Sequence, residues 1–453
     1  MAILALTKIH HLKSILALGL PIAGSFLAQN LLHVTDTVMM GWYGVTELAA
    51  VVLGSSTFFI LFILGSGFGQ AVMPMVAQAV GRGDQTQVRR DTRMGLWLSF
   101  LYGLISYPVF WYSGTILHYL GQADDVAMFA QDYLRLAGLG MIPALGVMVI
   151  KSYLGGLGRV KVALWITVAA VFVNFIFNYV LVFGVWGAPE MGVRGAAIAS
   201  VIVQSFSIIG LGLYAALQAD LRNFSLFQRF WRPDWPAFFR VFNLGWPIGT
   251  AGLAEGGMFQ AAALMMGWIG TVQLAAHGIA LEVASLSFMV HLGLSNAATI
   301  RVGRMMGEND PSGLRDVAFM AFLLSSLFAG LVIWVFLLWP EQILNLFLDR
   351  SDPQTTAIVQ FGLGFLAVAA IFQFVDAMQV MAMGLLRGLQ DTKIPMLLAV
   401  MSYWLVGIPA SYLLAFKMGM DGIGLWLGLA IGLSVAAVAL IWRFWLRGPK
   451  GFS

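Results

Sequence analysis

Long apolar runs alternate along this chain with short clusters of Arg, Gly, Asp and Pro. The runs cover 14–40, 48–79, 94–113, 126–152, 162–184 and 193–217, then 239–269, 274–302, 317–339, 355–386, 394–416 and 421–444. Each reaches or exceeds the roughly 20 apolar residues that an α-helix needs to cross the hydrocarbon core of a bilayer. The pattern therefore predicts an all-α integral membrane protein with twelve transmembrane helices, short connections and no soluble domain.

The polar clusters orient these spans. Arg82, Arg89, Arg90 and Arg93 follow the second run, Arg159 and Lys161 the fourth, and Arg222, Arg229, Arg232 and Arg240 the sixth. Arg301, Arg304 and Arg315 flank the connection after the eighth, Arg387 and Lys393 that after the tenth, and Arg443, Arg447 and Lys450 close the chain. All of these fall on one side of the membrane. The opposite connections hold Asp124, Asp125, Glu190, Glu341, Asp349 and Asp352, with only Arg194, Arg350 and Lys417 as basic residues. Because basic loops stay on the cytoplasmic side, both termini are expected in the cytoplasm.

Composition sharpens this picture. Only 10% of the residues are charged and 60% are hydrophobic, against roughly 25% charged in a soluble domain. The net charge of +4 comes from cations spread over many short loops, so it encodes topology rather than a nucleic-acid partner. With no cysteine, a disulfide framework or a thiolate metal site is ruled out. Lys8 and Lys13 resemble the start of a signal peptide, but the apolar stretch after them is too long for one and reads as the first span.

The chain also repeats itself. Sliding it by 226 positions brings Gly19, Pro21, Ile22, Leu27 and Ala28 onto Gly245, Pro247, Ile248, Leu253 and Ala254. In the same register Met39-Met40-Gly41-Trp42 meets Met265-Met266-Gly267-Trp268, and Gly81, Asp84 and Arg89 meet Gly307, Asp310 and Arg315. Two parallel six-helix repeats are predicted, an N-terminal bundle over 1–217 and a C-terminal one over 239–453, joined by a cytoplasmic linker at 218–238. An even number of helices per repeat gives both halves the same direction through the membrane, with a cleft between them where access can alternate.

Carboxylates inside the spans are the candidate chemistry, because one at the bilayer centre costs about 2.5–3.5 kcal/mol on insertion scales. The spans hold Asp36, Glu255, Glu282 and Asp376. Asp36 shares a helical face with His33 and Gln29, three and seven residues upstream. On the fifth span Asn174 and Asn178, one turn apart, form a polar stripe suited to hydrogen-bond a carboxylate of the first. Glu255 lies among Gly252, Gly256 and Gly257, and Asp376 between Gln373 and Gln379. In the repeat register Glu255 faces Gln29 and Asp36 faces Ala262, so the acids are not one site copied twice. The plain alternative is that these groups only join helices, through bonds averaging about 0.6 kcal/mol, yet an amide would serve that purpose without an ionisable group. Loss of water disfavours the charged form of a carboxyl, which brings a buried acid within reach of a proton gradient. Protonation then removes the charge that holds an organic cation.

Other motifs add less. Gly65-Ser66-Gly67-Phe68-Gly69 and Gly155-Gly156-Leu157-Gly158 lack the strand, lysine and hydroxyl of a nucleotide loop, and Gly424, Gly428 and Gly432 form a close-packing face. No metalloprotease motif or nucleophile elbow occurs, so an enzyme is not expected. His33 and His291 read as packing residues without metal-ligand spacing. The methionines, among them Met265, Met266, Met378, Met381 and Met383, suit an adaptable apolar wall.

His33-Val34-Thr35-Asp36-Thr37-Val38-Met39-Met40-Gly41, Gly81-Arg82-Gly83-Asp84, Glu255 in its glycine setting, and Asp376 followed by Leu386-Arg387-Gly388-Leu389-Gln390-Asp391 together resemble the multidrug and toxic compound extrusion (MATE) family, in its NorM-type branch. The resemblance spans essentially the whole chain. It implies the MATE fold and a monomeric antiporter of the bacterial inner membrane, without cofactor, exporting small organic cationic drugs and dyes in exchange for Na⁺ or H⁺. Asp36, Asn174, Asn178, Glu255 and Asp376 would couple cation movement, Glu255 and Asp376 holding Na⁺. Asp36, Glu255, Asp376, Gln29, Glu282, Phe288 and Phe372 would contact substrate, with membrane lipid around them. One departure bears on the ion. Where some Na⁺-driven relatives carry Tyr one turn before the tenth-helix acid, this chain has Phe372, which removes a hydroxyl ligand for a hard cation and keeps H⁺ open. A flippase for an anionic lipid-linked precursor would share this architecture. It would need Arg or Lys in the cleft, whereas the mid-span charges are acidic apart from Lys151 near a helix end.

Overall fold

Residues 2–348 and 353–448 are described by the structure, a computed structural model, with side chains from Lys8 onward. Asp349, Arg350, Asp352 and Lys450 lie outside the described residues.

Among the described residues, twelve long helices follow one another. The first repeat holds α1 (Ala2–Tyr43), α2 (Val45–Gly81), α3 (Gln85–Trp111), α4 (Asp124–Gly156), α5 (Val160–Phe183) and α6 (Gly192–Leu217). The second holds α7 (Trp235–Ile269), α8 (Thr271–Glu308), α9 (Pro311–Leu338), α10 (Thr355–Gly388), α11 (Lys393–Lys417) and α12 (Asp421–Arg447). Several are longer than the apolar runs that predict them. α1 begins at Ala2 rather than near 14, and α3 at Gln85 rather than 94. Hydropathy registers only the part of a helix inside lipid, and these helices continue as polar turns beyond it.

Among the described residues, eleven helices are long and apolar enough to cross a membrane by length and composition alone. The twelfth, α7, is 35 residues long, and its lower apolar density follows from Glu255, Gln260 and its many glycines. Large apolar side chains such as Trp165, Phe172, Leu213, Leu327 and Val438 stand exposed along the helices. In water so many would be untenable; a surrounding lipid phase is their natural solvent.

The repeat is built into the helix ends. The extended residues Gly44 and Gly270, 226 positions apart, break the chain before α2 and before α8. Asp84 caps α3 by accepting from the Gln87 backbone N–H at 2.9 Å, and its repeat counterpart Asp310 caps α9 by accepting from Gly313 at 2.9 Å. Each cap satisfies a backbone donor left over by the first turn.

Packing divides the chain differently from the repeat. One compact unit comprises Met1–Ala23 with Ala251–Ser453, the other Gly24–Thr250. The first half of α1 thus packs with the second repeat, and the first half of α7 with the first. Glycine makes this possible. In one unit α2 and α7 approach so closely that a Cβ on Gly67 would sit 2.4 Å from the Gly245 carbonyl oxygen; in the other, a Cβ on the equivalent Gly293 would sit 2.6 Å from the Ala23 nitrogen. Pro21 and Pro247, inside α1 and α7, mark the same level in both repeats, where proline leaves a helical carbonyl without its partner.

The linker also has a fixed structure. After one helical turn at Ala219–Arg222 it runs along the polar end of α3. Arg90 grips the Asp234 carboxylate with two N–H groups, one at 3.0 Å, Arg93 donates to the carbonyls of Gln228 and Arg229, and Trp97 donates to that of Phe230 at 2.9 Å.

Candidate functional site

The two units hold two separate polar clusters. In the first, Asp36 on α1 accepts from the amides of Asn174 at 2.9 Å and Asn178 at 2.7 Å, both on α5 and both buried. The two amides are stacked one turn apart and reach the same carboxylate oxygen, Oδ1. They hold it from one side with neutral donors, so the negative charge is solvated but not neutralised. The amide oxygens of both asparagines are buried without hydrogen-bond partners. His33, one turn before Asp36, lies edge-on to Phe59, and Gln29, two turns before, makes no side-chain hydrogen bond to this cluster among the described residues. Tyr133 on α4 completes the surroundings: it is buried, receives a hydrogen bond from Ser55 at 3.3 Å and feels the Asp36 charge.

In the second unit Asp376 on α10 is 3% exposed. Glu255 on α7 is close enough for the two carboxyls to influence each other. Gln373 donates to the Ala284 carbonyl at 2.9 Å and to Ser287, and Gln379 donates to the Tyr403 hydroxyl at 2.6 Å. Both glutamines thus spend their donors elsewhere. The result is an interior rich in acceptors: Glu255 Oε1, Asp376 Oδ1, Gln373 Oε1 and Gln379 Oε1 are all buried without a hydrogen-bond partner. A buried acceptor with no donor costs about 1–3 kcal/mol. Each of these oxygens is open to a proton, a small cation or water.

Neighbours missing from the sequence reading complete this cluster. Tyr403 is buried on α11 and interacts with Glu255, Asp376 and Arg387. Its hydroxyl accepts from Gln379, the neighbour of Asp376 on α10. Arg387, which the charge pattern places at the flank of a connection, belongs to the last turn of α10 and interacts with Glu255. Trp404 donates to the Ala254 carbonyl at 3.1 Å, beside Glu255, and fits because a Cβ on Gly257 would lie 3.0 Å from its ring. Tyr403 and Trp404 sit where α11 opens to a wider, π-type pitch over Ser402–Gly407, a distortion that re-aims side chains and recurs at functional sites. The repeat register carried a signal for Trp404, which stands 226 positions after Asn178; in both repeats the fifth helix thus donates a side-chain N–H to the first.

Other predicted contacts stand apart. Phe372 is enclosed in an aromatic core, its ring 6.0 Å from Phe259 and 5.4 Å from Trp426. Glu282 is exposed on α8 and Phe288 half-buried, and neither bonds to the acids of its unit among the described residues. His291 is buried, pairs with Ser325 at 2.9 Å and packs edge-on against Phe328. Lys151 is half-buried within α4.

Acids enclosed in two helical units of a chain with an apolar exterior define a multi-pass membrane protein of the transporter type. The MatE family model matches residues 21–180 and 247–413, two stretches that begin 226 positions apart, as the repeat requires. The chain is 44% identical over 437 residues to a probable multidrug resistance protein NorM of Rhizobium meliloti (strain 1021), and 45% identical over 437 residues to one of Agrobacterium fabrum (strain C58 / ATCC 33970). Each match covers 96% of this chain and 93% of the relative. Its fold is that of the eukaryotic MATE transporter AtDTX14, with a TM-score of 0.87 at 21% identity over 98% of both chains. A MATE structure in the straight conformation superposes with a TM-score of 0.87 at 19% identity, over 97% of both chains. The chain belongs to the MATE family; it is a transporter and not an enzyme.

Proposed function

We propose that this transporter exports hydrophobic organic cations from the cytoplasm in exchange for H⁺ or Na⁺, by alternating access across the bacterial inner membrane, as a monomer with both termini in the cytoplasm. The observation that carries the reading is the set of buried, partnerless acceptor oxygens on Glu255, Asp376, Gln373 and Gln379, with the two carboxyls near enough to influence each other. Such a set attracts a cationic group or a proton and repels anions. Asp36 with its two asparagines forms a second acidic site in the other unit. The names of the NorM relatives point to multidrug resistance. The coupling ion is cargo here rather than a resident cofactor. The paired carboxyls of Glu255 and Asp376 are hard oxygen donors that suit Na⁺, and either carboxyl suits H⁺.

In proteoliposomes loaded with an ethidium-like dye, an imposed pH or Na⁺ gradient is expected to drive dye movement, and the gradient that works names the ion. Asp376→Asn is expected to lower that rate at least tenfold, in line with about 1.4 kcal/mol or more of lost coupling. Dye movement indifferent to both gradients, or a wild-type rate in Asp376→Asn, would refute the proposal.

A further inference from the structure

We propose that the linker between the repeats is a binding surface for the headgroups of acidic phospholipids. Its backbone is held from one side. The carbonyls of Gln228, Arg229 and Phe230 all accept from Arg93 and Trp97 of α3, and the Asp234 carboxylate is gripped by Arg90. With these carbonyls turned inward, Arg222, Phe227, Arg229, Trp231, Arg232 and Trp235 stand exposed.

Those side chains alternate basic and aromatic character. Arg222, Arg229 and Arg232 are exposed and make no ion pair or side-chain hydrogen bond among the described residues. Phe227 and Trp231 stand between them and Trp235 follows, 41%, 76% and 57% exposed. The acids of the same stretch do not cancel this charge, because Asp220 is paired with Arg159 at 2.7 Å and Asp234 with Arg90. The surface therefore offers three free guanidinium groups and three aromatic rings.

Position selects the partner. The linker joins the end of α6 at Leu217 to the start of α7 at Trp235, two membrane-spanning helices, so it lies at the border of the bilayer. Tryptophan prefers the headgroup level, guanidinium binds phosphate through paired N–H groups, and each basic residue near an anionic leaflet contributes about 1 kcal/mol. A phosphodiester headgroup with net negative charge, its acyl chains beside the rings, satisfies both halves of the pattern. The inference is independent of what the protein transports.

The full-length protein in detergent can be titrated with brominated phosphatidylglycerol and, separately, brominated phosphatidylcholine, following quenching of tryptophan fluorescence. Wild type is expected to prefer the anionic lipid by about fivefold or more, and about 0.5 M salt is expected to reduce that preference. The triple variant R222Q/R229Q/R232Q should lose most of the preference while retaining quenching by phosphatidylcholine, which also reports that it is folded. In W231F/W235F the component of quenching specific to the anionic lipid should disappear. If the triple variant misfolds, R232Q alone and the salt titration of wild type carry the test. A triple variant with the wild-type preference, a preference insensitive to salt, or a lipid preference absent altogether while a DNA oligonucleotide binds the same arginines would each overturn the proposal.

Discussion

At the scale of single residues, the two acidic clusters solve the same problem by opposite means. Asp36 receives two amide donors, whereas Asp376 receives no hydrogen bond at Oδ1 and lies among other acceptors. A hydrogen bond to a charged group is worth about 1.5–3 kcal/mol. Asn178→Ala, which leaves one amide on Asp36, is therefore expected to slow dye efflux about tenfold or more. Ile176→Ala, on the exposed side of the same helix, should leave the rate unchanged, and equal rates in the two variants would show that the amides only join helices. The amide stripe was legible because two asparagines in an apolar run have few other purposes. Tyr403 was not, since one tyrosine in an aromatic-rich span carries no signal until the pitch of α11 turns it inward. Arg387 flanks a connection in the charge pattern, and its interaction with Glu255 was not legible because an apolar run does not reveal how far its helix continues.

At the scale of helices, the repeat is kept where backbone chemistry demands it and lost among the polar side chains of the interior. Asp84 and Asp310 cap equivalent helices with equivalent bonds, while Gln29 and Glu255, or Asn178 and Trp404, share a position without sharing a side chain. The caps and glycines could be read by sliding the sequence on itself. Which helix each glycine meets could not, because a packing face does not name its partner. Gly67→Ala sets a methyl against the backbone of α7 and is expected to destabilise the protein by about 1–3 kcal/mol. Gly330→Ala, where a Cβ would meet nothing within 4 Å, should be neutral or slightly stabilising through helix propensity. Thermal unfolding of both in one detergent would show the contrast, and comparable melting temperatures would mean that α2 and α7 are not held at this distance.

At the scale of the molecule, the linker acts as a strap rather than a tether, and acid should release it. Arg90 holds the Asp234 carboxyl below its ordinary range, through the hydrogen bond first and the attraction between charges after it. A depressed carboxyl stabilises the fold fully above its unfolded value near 3.9 and loses that contribution as the pH falls through the folded value. Hydrogen exchange over 224–232 should therefore be unaffected by pH between about 5 and 8, once the intrinsic rate is allowed for, and rise below about 4. Asp234→Asn should show the faster exchange already at neutral pH. Equal protection in variant and wild type would mean that Trp97 and Arg93 suffice. The span pattern and the twofold repetition were legible because both are carried by local composition. The division into compact units was not, since it depends on which bundle the first half of α1 joins.

That division limits how the gene can be cut. A fragment ending at the linker would carry residues 1–23 without the helices they pack on, and would lack residues 235–250, which belong to its own bundle. The complementary fragment would have the mirror deficiency. Neither piece is a self-sufficient building block, so shuffling halves between relatives at the linker would mismatch two surfaces at once, and a chimera that respects the packing must exchange its joints inside α1 and α7.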